Sequence, residues 1–345
     1  MNTNRDVFAF ILCGMLTSGC AGLQQAARPA IQLPASKSEA PPRAIALSPN
    51  GSCAVIARGR YGAMLQDPEP GDAYVVSLQA GAVERELPSA RDGNSSVVIL
   101  SGKPSPFVVV ASYDGTVLLA DMNGQGRTVR VELAAGPIVA LAAGTQGQSF
   151  IAACCSRESH GNVGKLLVCG RDGRILTEIG TGPVYIGHIA CSREGGTIAA
   201  SLVSGSVTVC ELPTGRRRTL DLPDDQVCTD LAFASDGRLI LCGGYRVRGR
   251  NADGWLSVYD LQRAQWSRSV ALTEEPASLA VRGRIISLIV GASHRLQVMS
   301  APGLTRIKTG ALANVAAAAI DDKGDKIVCL TRAGEIRVIS IDGEQ

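Results

Sequence analysis

Thr229-Asp230-Leu231-Ala232-Phe233-Ala234-Ser235-Asp236-Gly237-Arg238-Leu239-Ile240-Leu241-Cys242-Gly243-Gly244 leads through a polar loop into Trp255-Leu256-Ser257-Val258-Tyr259-Asp260-Leu261. An apolar run with polar interruptions meets Ser-Asp-Gly, a turn signal. A second apolar run follows the turn. After the loop, a third run ends in Tyr-Asp. Short alternating runs bounded by turn residues describe strands with one face buried. The stretch therefore predicts three consecutive antiparallel strands.

The third of these strands recurs six more times. Its central residue is Val75, Leu119, Val168, Val209, Val258, Val298 and Val338 in turn, at spacings of 40 to 49 residues. Most copies run into turn chemistry, such as Asn123-Gly124, Asp172-Gly173 and Thr214-Gly215. The first strand recurs as well, in Ile45-Ala46-Leu47-Ser48-Pro49-Asn50-Gly51 and in Ala318-Ala319-Ile320-Asp321-Asp322-Lys323-Gly324. A fixed period of this size marks a repeat architecture, in which each unit buries its apolar faces on its neighbours. With no amphipathic helical stretch after Ala44, the architecture is predicted to be all-β.

Composition agrees. The chain has 345 residues, 46% hydrophobic, with 39 Gly and 4% aromatics. That is ample for a large core and suits many tight turns between small apolar strands. The net charge of +3 gives no electrostatic footprint for nucleic acid, and none is expected as a partner.

A period of 40–45 residues, four strands per unit and a Ser-Pro-Asn-Gly or Ser-Asp-Gly turn resemble the WD-repeat β-propellers. The resemblance spans about Ala30 to Ile341 and implies seven four-stranded blades. Tyr259-Asp260 and Ala120-Asp121 approach that family's Trp-Asp ending, and Gly187-His188 falls inside a first strand, not in the loop before it. The last unit stops after its third strand, at Asp342 to Gln345. Ala30-Ile31-Gln32-Leu33-Pro34 resembles a fourth strand with no blade of its own, like Thr219-Leu220-Asp221-Leu222-Pro223. Pairing it with Ile336–Ile341 is expected to close the ring.

Before the repeats, a short charged start precedes an apolar run, Val7 to Leu16, and then Thr17-Ser18-Gly19-Cys20. This has the plan of a secretory signal peptide. The Cys after Ser-Gly resembles the lipobox of bacterial lipoproteins, which implies a lipid on Cys20. The expected organisation is a signal peptide at 1–19, a tether at 20–41 with the closing strand near 30–34, and the propeller at 42–345. The expected location is the bacterial cell envelope, lipid-anchored at a membrane. The cytoplasm is the alternative.

There are 11 Cys. Cys13 and Cys20 belong to the signal. Cys169 and Cys210 share one place in the repeat and Cys242 and Cys329 another, as small buried hydrophobes would. No CxxC pair or Cys/His cluster points to zinc. The three His, at 160, 188 and 294, are scattered, and no metal or cofactor is expected.

The loops between second and third strands are predicted long in three units: Arg58 to Asp72, Ser156 to Gly164 and Gly244 to Gly254. On one face they would present Arg58, Arg60, Arg157, Arg246, Arg248 and Arg250, with His160. Arginine forks suit an acidic or phosphorylated protein partner, although loop arginines are commonly just solvated. Arg216-Arg217-Arg218 is expected on a hairpin of the opposite face, as a solvated edge or a contact to anionic lipid. No Gly-x-Ser-x-Gly elbow, P-loop or dinucleotide fingerprint is present. The expectation is a non-catalytic protein-interaction scaffold, membrane-tethered through Cys20. The alternatives are a cytoplasmic WD-type adaptor and a propeller enzyme of the lactonase or quinone-dependent dehydrogenase type. For the last, Asp230 is the notable charged residue among channel-lining first strands.

Overall fold

The computed structural model describes residues 30–35, 40–59, 70–102, 105–124, 126, 128–158, 161–212, 214–223, 225–245, 254–301, 303–309 and 312–341. After a short leading strand, β1 (Ile31–Gln32), the strands fall into consecutive blades. Blade one is β2 (Pro42–Leu47), β3 (Cys53–Arg58), β4 (Gly71–Ser77) and β5 (Ala82–Ala90). Blade two is β6 (Asn94–Leu100), β7 (Phe107–Ser112), β8 (Thr116–Asp121) and β9 (Val129–Glu132). Blade three is β10 (Ile138–Ala143), β11 (Ser149–Glu158), β12 (Gly161–Gly170) and β13 (Ile175–Gly182). Blade four is β14 (Ile186–Cys191), β15 (Thr197–Leu202), β16 (Val207–Glu211) and β17 (Arg217–Leu220). Blade five is β18 (Gln226–Phe233), β19 (Leu239–Tyr245), β20 (Gly254–Asp260) and β21 (Gln265–Leu272). Blade six is β22 (Pro276–Arg282), β23 (Ile285–Val290), β24 (Arg295–Ser300) and β25 (Thr305–Thr309). Blade seven is β26 (Val315–Ile320), β27 (Lys326–Thr331) and β28 (Glu335–Ser340), completed by β1.

The first strand of each blade contacts the first strands of both neighbours, from β2 round to β26 and back to β2. That ring of contacts makes a seven-bladed β-propeller with the first strands innermost. The core divides the same way. Seven buried clusters each join two adjacent blades, as expected when a unit buries its faces only on its neighbours. Cys154, Cys169, Cys210, Cys242 and Cys329 are among their members, and all are free thiols. Burial pushes Cys169 and Cys329 up to about 12 and Cys154 up to about 11, so they pack as neutral hydrophobes.

The turn in Ala234 to Arg238 shows why the repeat unit folds as it does. Gly237 takes φ +81°, a conformation that costs a residue with a Cβ. Its N–H donates to Ala234 O at 3.0 Å, and the Arg238 N–H donates to Asp236 Oδ1 at 3.1 Å. Ser-Asp-Gly thus reverses the chain between β18 and β19.

The ring closes as the sequence predicts. Ile31 and Gln32 pair antiparallel with Ile336 and Glu335, and the Leu33 N–H donates to Gly334 O at 3.0 Å. Closure removes the unpaired edge that β28 would otherwise expose.

Candidate functional site

Each innermost strand starts on the face where the chain enters its blade. This entry face also carries the turns between second and third strands. The opposite face carries the turns between first and second and between third and fourth strands.

Of the three predicted long loops, 60–69 and 246–253 lie outside the described residues, while the predicted ends Arg58, Asp72, Gly244 and Gly254 are strand residues. The remaining loop is not a loop for most of its length. β11 and β12 stay paired out to Glu158 opposite Gly161, so most of Ser156 to Gly164 is a hairpin extension. Arg58 is also not a loop residue. It ends β3, is 5% exposed, and sets its guanidinium 5.7 Å from the centre of the Tyr74 ring. A Cβ placed on Gly334 would come within 2.9 Å of Arg58 Nη2, so this arginine packs into the seam between blades one and seven. Arg157 is in β11, opposite Asn162. Its side chain, and Arg60, His160, Arg246, Arg248 and Arg250, lie outside the described residues, as does Cys20. Of the opposite-face arginines, Arg217 and Arg218 belong to the fourth strand β17. Arg218 lies over Tyr259 and donates to Leu261 O at 3.1 Å, linking blades four and five.

The entry face carries a feature that the sequence does not announce. Val203 is 68% exposed, Tyr245 41% and Tyr185 36%. Tyr185 precedes β14, Val203 turns between β15 and β16, and Tyr245 ends β19. Backbone bonds hold them on one rim. The Val203 N–H donates to Tyr185 O at 2.9 Å, the Cys228 N–H donates to Gly205 O at 3.3 Å, and Tyr245 pairs with Gln226. Below the rim, the buried Trp255 indole donates to Gly244 O at 2.9 Å, anchoring the start of the loop that carries Arg246, Arg248 and Arg250 in the sequence. The result is an apolar rim across blades four and five, and after Tyr245 the sequence runs on into Arg246, Arg248 and Arg250. Clustered exposed apolar groups of this kind mark interaction surfaces.

The channel wall has its own polar centre. Every innermost strand has one register shift near its start. The corresponding place next to it holds Ala44, Ser96, Ala140, His188, Asp230, Ser278 and Ala317. Two of these side chains accept from the next blade. Ser96 Oγ takes the Leu141 N–H at 3.2 Å, and Asp230 Oδ2 takes the Leu279 N–H at 2.8 Å. Asp230 Oδ1 takes the Leu231 N–H at 2.8 Å and lies 3.3 Å from His188 Nδ1 of blade four. Asp230 therefore ties three blades together. His294 has a different partner. It turns at φ +49° before β24, and its Nε2 meets Arg332 Nη2. Burial, and then the Arg332 charge, hold its pKa below the ordinary histidine value. Among the described residues, no three His, Cys, Asp or Glu side chains come together as a metal site would require.

No family model matches the chain, and no curated protein matches it. Among solved structures, it superposes on a chain of the crystal structure of the mitotic checkpoint complex with a TM-score of 0.72. Identity is 14%, over 98% of this chain and 99% of that one. The likeness is one of fold. It supports a complete WD-repeat-like propeller ring, in line with the seven blades and their closure.

Proposed function

We propose that the chain is a non-catalytic protein-interaction scaffold that docks its partner on the entry face. The observation that carries this reading is the exposed rim of Tyr185, Val203 and Tyr245. Tyrosine gives large contact area with few rotatable bonds, and aromatic anchors carry much of the energy of protein interfaces. Arg246, Arg248 and Arg250, which follow Tyr245 in the sequence, make the favoured partner a protein segment with an apolar anchor flanked by acidic residues. The resembling chain comes from a structure described as a complex, which is consistent with a scaffold.

The same reading includes a lipid on Cys20 that tethers the propeller at a membrane of the bacterial envelope. β1 is antiparallel to β28, so the chain reaches it from the opposite face. A tether there leaves the entry face pointing away from the membrane.

The test is an affinity capture with the full chain, quantified by mass spectrometry. Val203→Glu with Tyr185→Glu, and separately Arg246, Arg248 and Arg250→Glu, are expected to reduce recovery of the specific partner at least tenfold. Arg193→Gln, on the opposite face, is expected to leave it unchanged. Equal recovery in all variants would sink the docking face. The intact mass of the mature protein checks the tether: a lipid-modified Cys20 is expected, and an unmodified Met1 in the soluble fraction refutes it.

A further inference from the structure

At the opposite face the ends of the innermost strands and the turns that follow them line an open cavity of about 560 Å³, to which all seven blades contribute. Its volume falls in the range of sites that enclose small organic ligands, roughly 300–1,000 Å³. Leu47, Ile99, Phe233 and Val281, from the ends of four innermost strands, supply apolar wall. The charged lining groups are Arg193, Arg282 and Asp322. Arg282 Nε lies 3.6 Å from Asp322 Oδ1, so that acid is already engaged. Arg193 is exposed, and its guanidinium has no hydrogen-bond or ion-pair partner among the described residues. The lining thus has one positive charge in excess, on an arginine whose fork is free, above an apolar wall. A carboxylate or sulfonate matches that fork geometrically and electrostatically.

From this we infer that the cavity binds a small organic monoanion, with its acidic group on Arg193 and an apolar body between Leu47, Ile99, Phe233 and Val281. The site lies on the face away from the proposed docking rim and does not depend on it.

The probe is 1-anilinonaphthalene-8-sulfonate, titrated by fluorescence into the full chain. The neutral N-phenyl-1-naphthylamine serves as its uncharged counterpart. Saturable binding of one sulfonate per chain is expected. Arg193→Gln is expected to weaken the sulfonate about tenfold, the scale of a lost charge-assisted hydrogen bond, and to leave the neutral dye within twofold. Ala143→Trp places bulk at another lining position and is expected to weaken both dyes. Asp322→Asn removes the acid that engages Arg282 and is expected to tighten the sulfonate about threefold, on the order of one surface ion pair. Near-UV circular dichroism equal to that of the unchanged protein excludes dye uptake by a loosened fold, which this probe also reports, as the source of the gain. Absence of saturable binding, or sulfonate affinity unchanged within twofold in both Arg193→Gln and Asp322→Asn, would overturn the proposal.

Discussion

Asp230 is 7% exposed in an innermost strand whose counterparts hold Ala, Ser or His at the same place. A carboxylate is stable there only because both oxygens are occupied, each accepting a backbone N–H at 2.8 Å. The bond to Leu279 N–H crosses into blade six, so the residue reports on ring assembly as well as on its own blade. Asp230→Ala leaves that buried N–H without an acceptor and is expected to cost about 1–3 kcal/mol, the penalty of one unsatisfied buried donor. Urea unfolding measures this, and a midpoint equal to that of the unchanged protein would show that the bond contributes nothing. Asp230 stands out in the sequence as the charged residue in an otherwise apolar run. Its partners do not, because His188 and Leu279 belong to the neighbouring blades and meet it only when the ring has formed. The rim residues were hidden for a related reason. Val203 continues the run Ile198 to Leu202 and reads as core, yet the strand has already ended and the side chain points into solvent.

At the scale of one element, the turn between β7 and β8 depends on Asp114. Its Oδ1 accepts the Thr116 N–H at 2.9 Å and the Thr116 hydroxyl at 2.6 Å, and Arg130 lies 3.9 Å from Oδ2. Burial works to raise the Asp114 pKa. The bonds from Thr116 and Ser112 and the Arg130 charge outweigh it, leaving the carboxyl below its ordinary value. Gly115 follows at φ +82°, and a Cβ there would meet Ala134 O at 2.1 Å, so the turn has no room for a side chain at that position. A folded pKa below the unfolded one stabilises the native state most fully above the unfolded value of about 3.9. The contribution fades as pH falls through the folded value, because the unfolded chain then binds more protons. Asp114→Asn is therefore expected to be less stable than the unchanged protein at pH 7, with the gap narrowing as pH is lowered from about 4 towards 3. Urea midpoints across that range test this, and a constant gap would refute it. Ser-Asp-Gly and Asn-Gly signals made such turns legible in sequence, since their chemistry is local. The hairpin beyond Cys155 was not legible. Ser156 to Gly164 is polar and reads as loop, but ladder bonds between backbones do not require apolar side chains, and β11 and β12 keep pairing past the body of the blade. Arg58 misleads in the same way: charge at a strand end suggests solvent, while the neighbouring blade covers it.

For the whole molecule, the seam between blades seven and one differs from the other six, because a segment distant in sequence completes it. Ile31 and Leu33 join Ile56, Tyr74, Leu330 and Ile336 in one buried cluster, and Arg58 packs alongside. The strand count and the orphan strand near Ala30 were visible in sequence because the period repeats and the last unit lacks its fourth strand. The packing at the seam was not, since it brings the two ends of the fold together. Six seams can form from consecutive units, and only the seventh needs the ring complete. Burial of a full Ile or Leu side chain is worth about 1.5–3 kcal/mol, offset in part by ordering a short strand. Removing residues 1–33 is thus expected to lower unfolding stability by at least about 2 kcal/mol, whereas removing residues 1–25, which leaves β1 intact, is expected to change it little. The shorter chain should also self-associate, because β28 then presents an unpaired edge. Thermal melts and sedimentation of both truncations decide the matter. Equal melting temperatures would mean that β1 adds no closure energy and that the ring is held by its innermost strands alone.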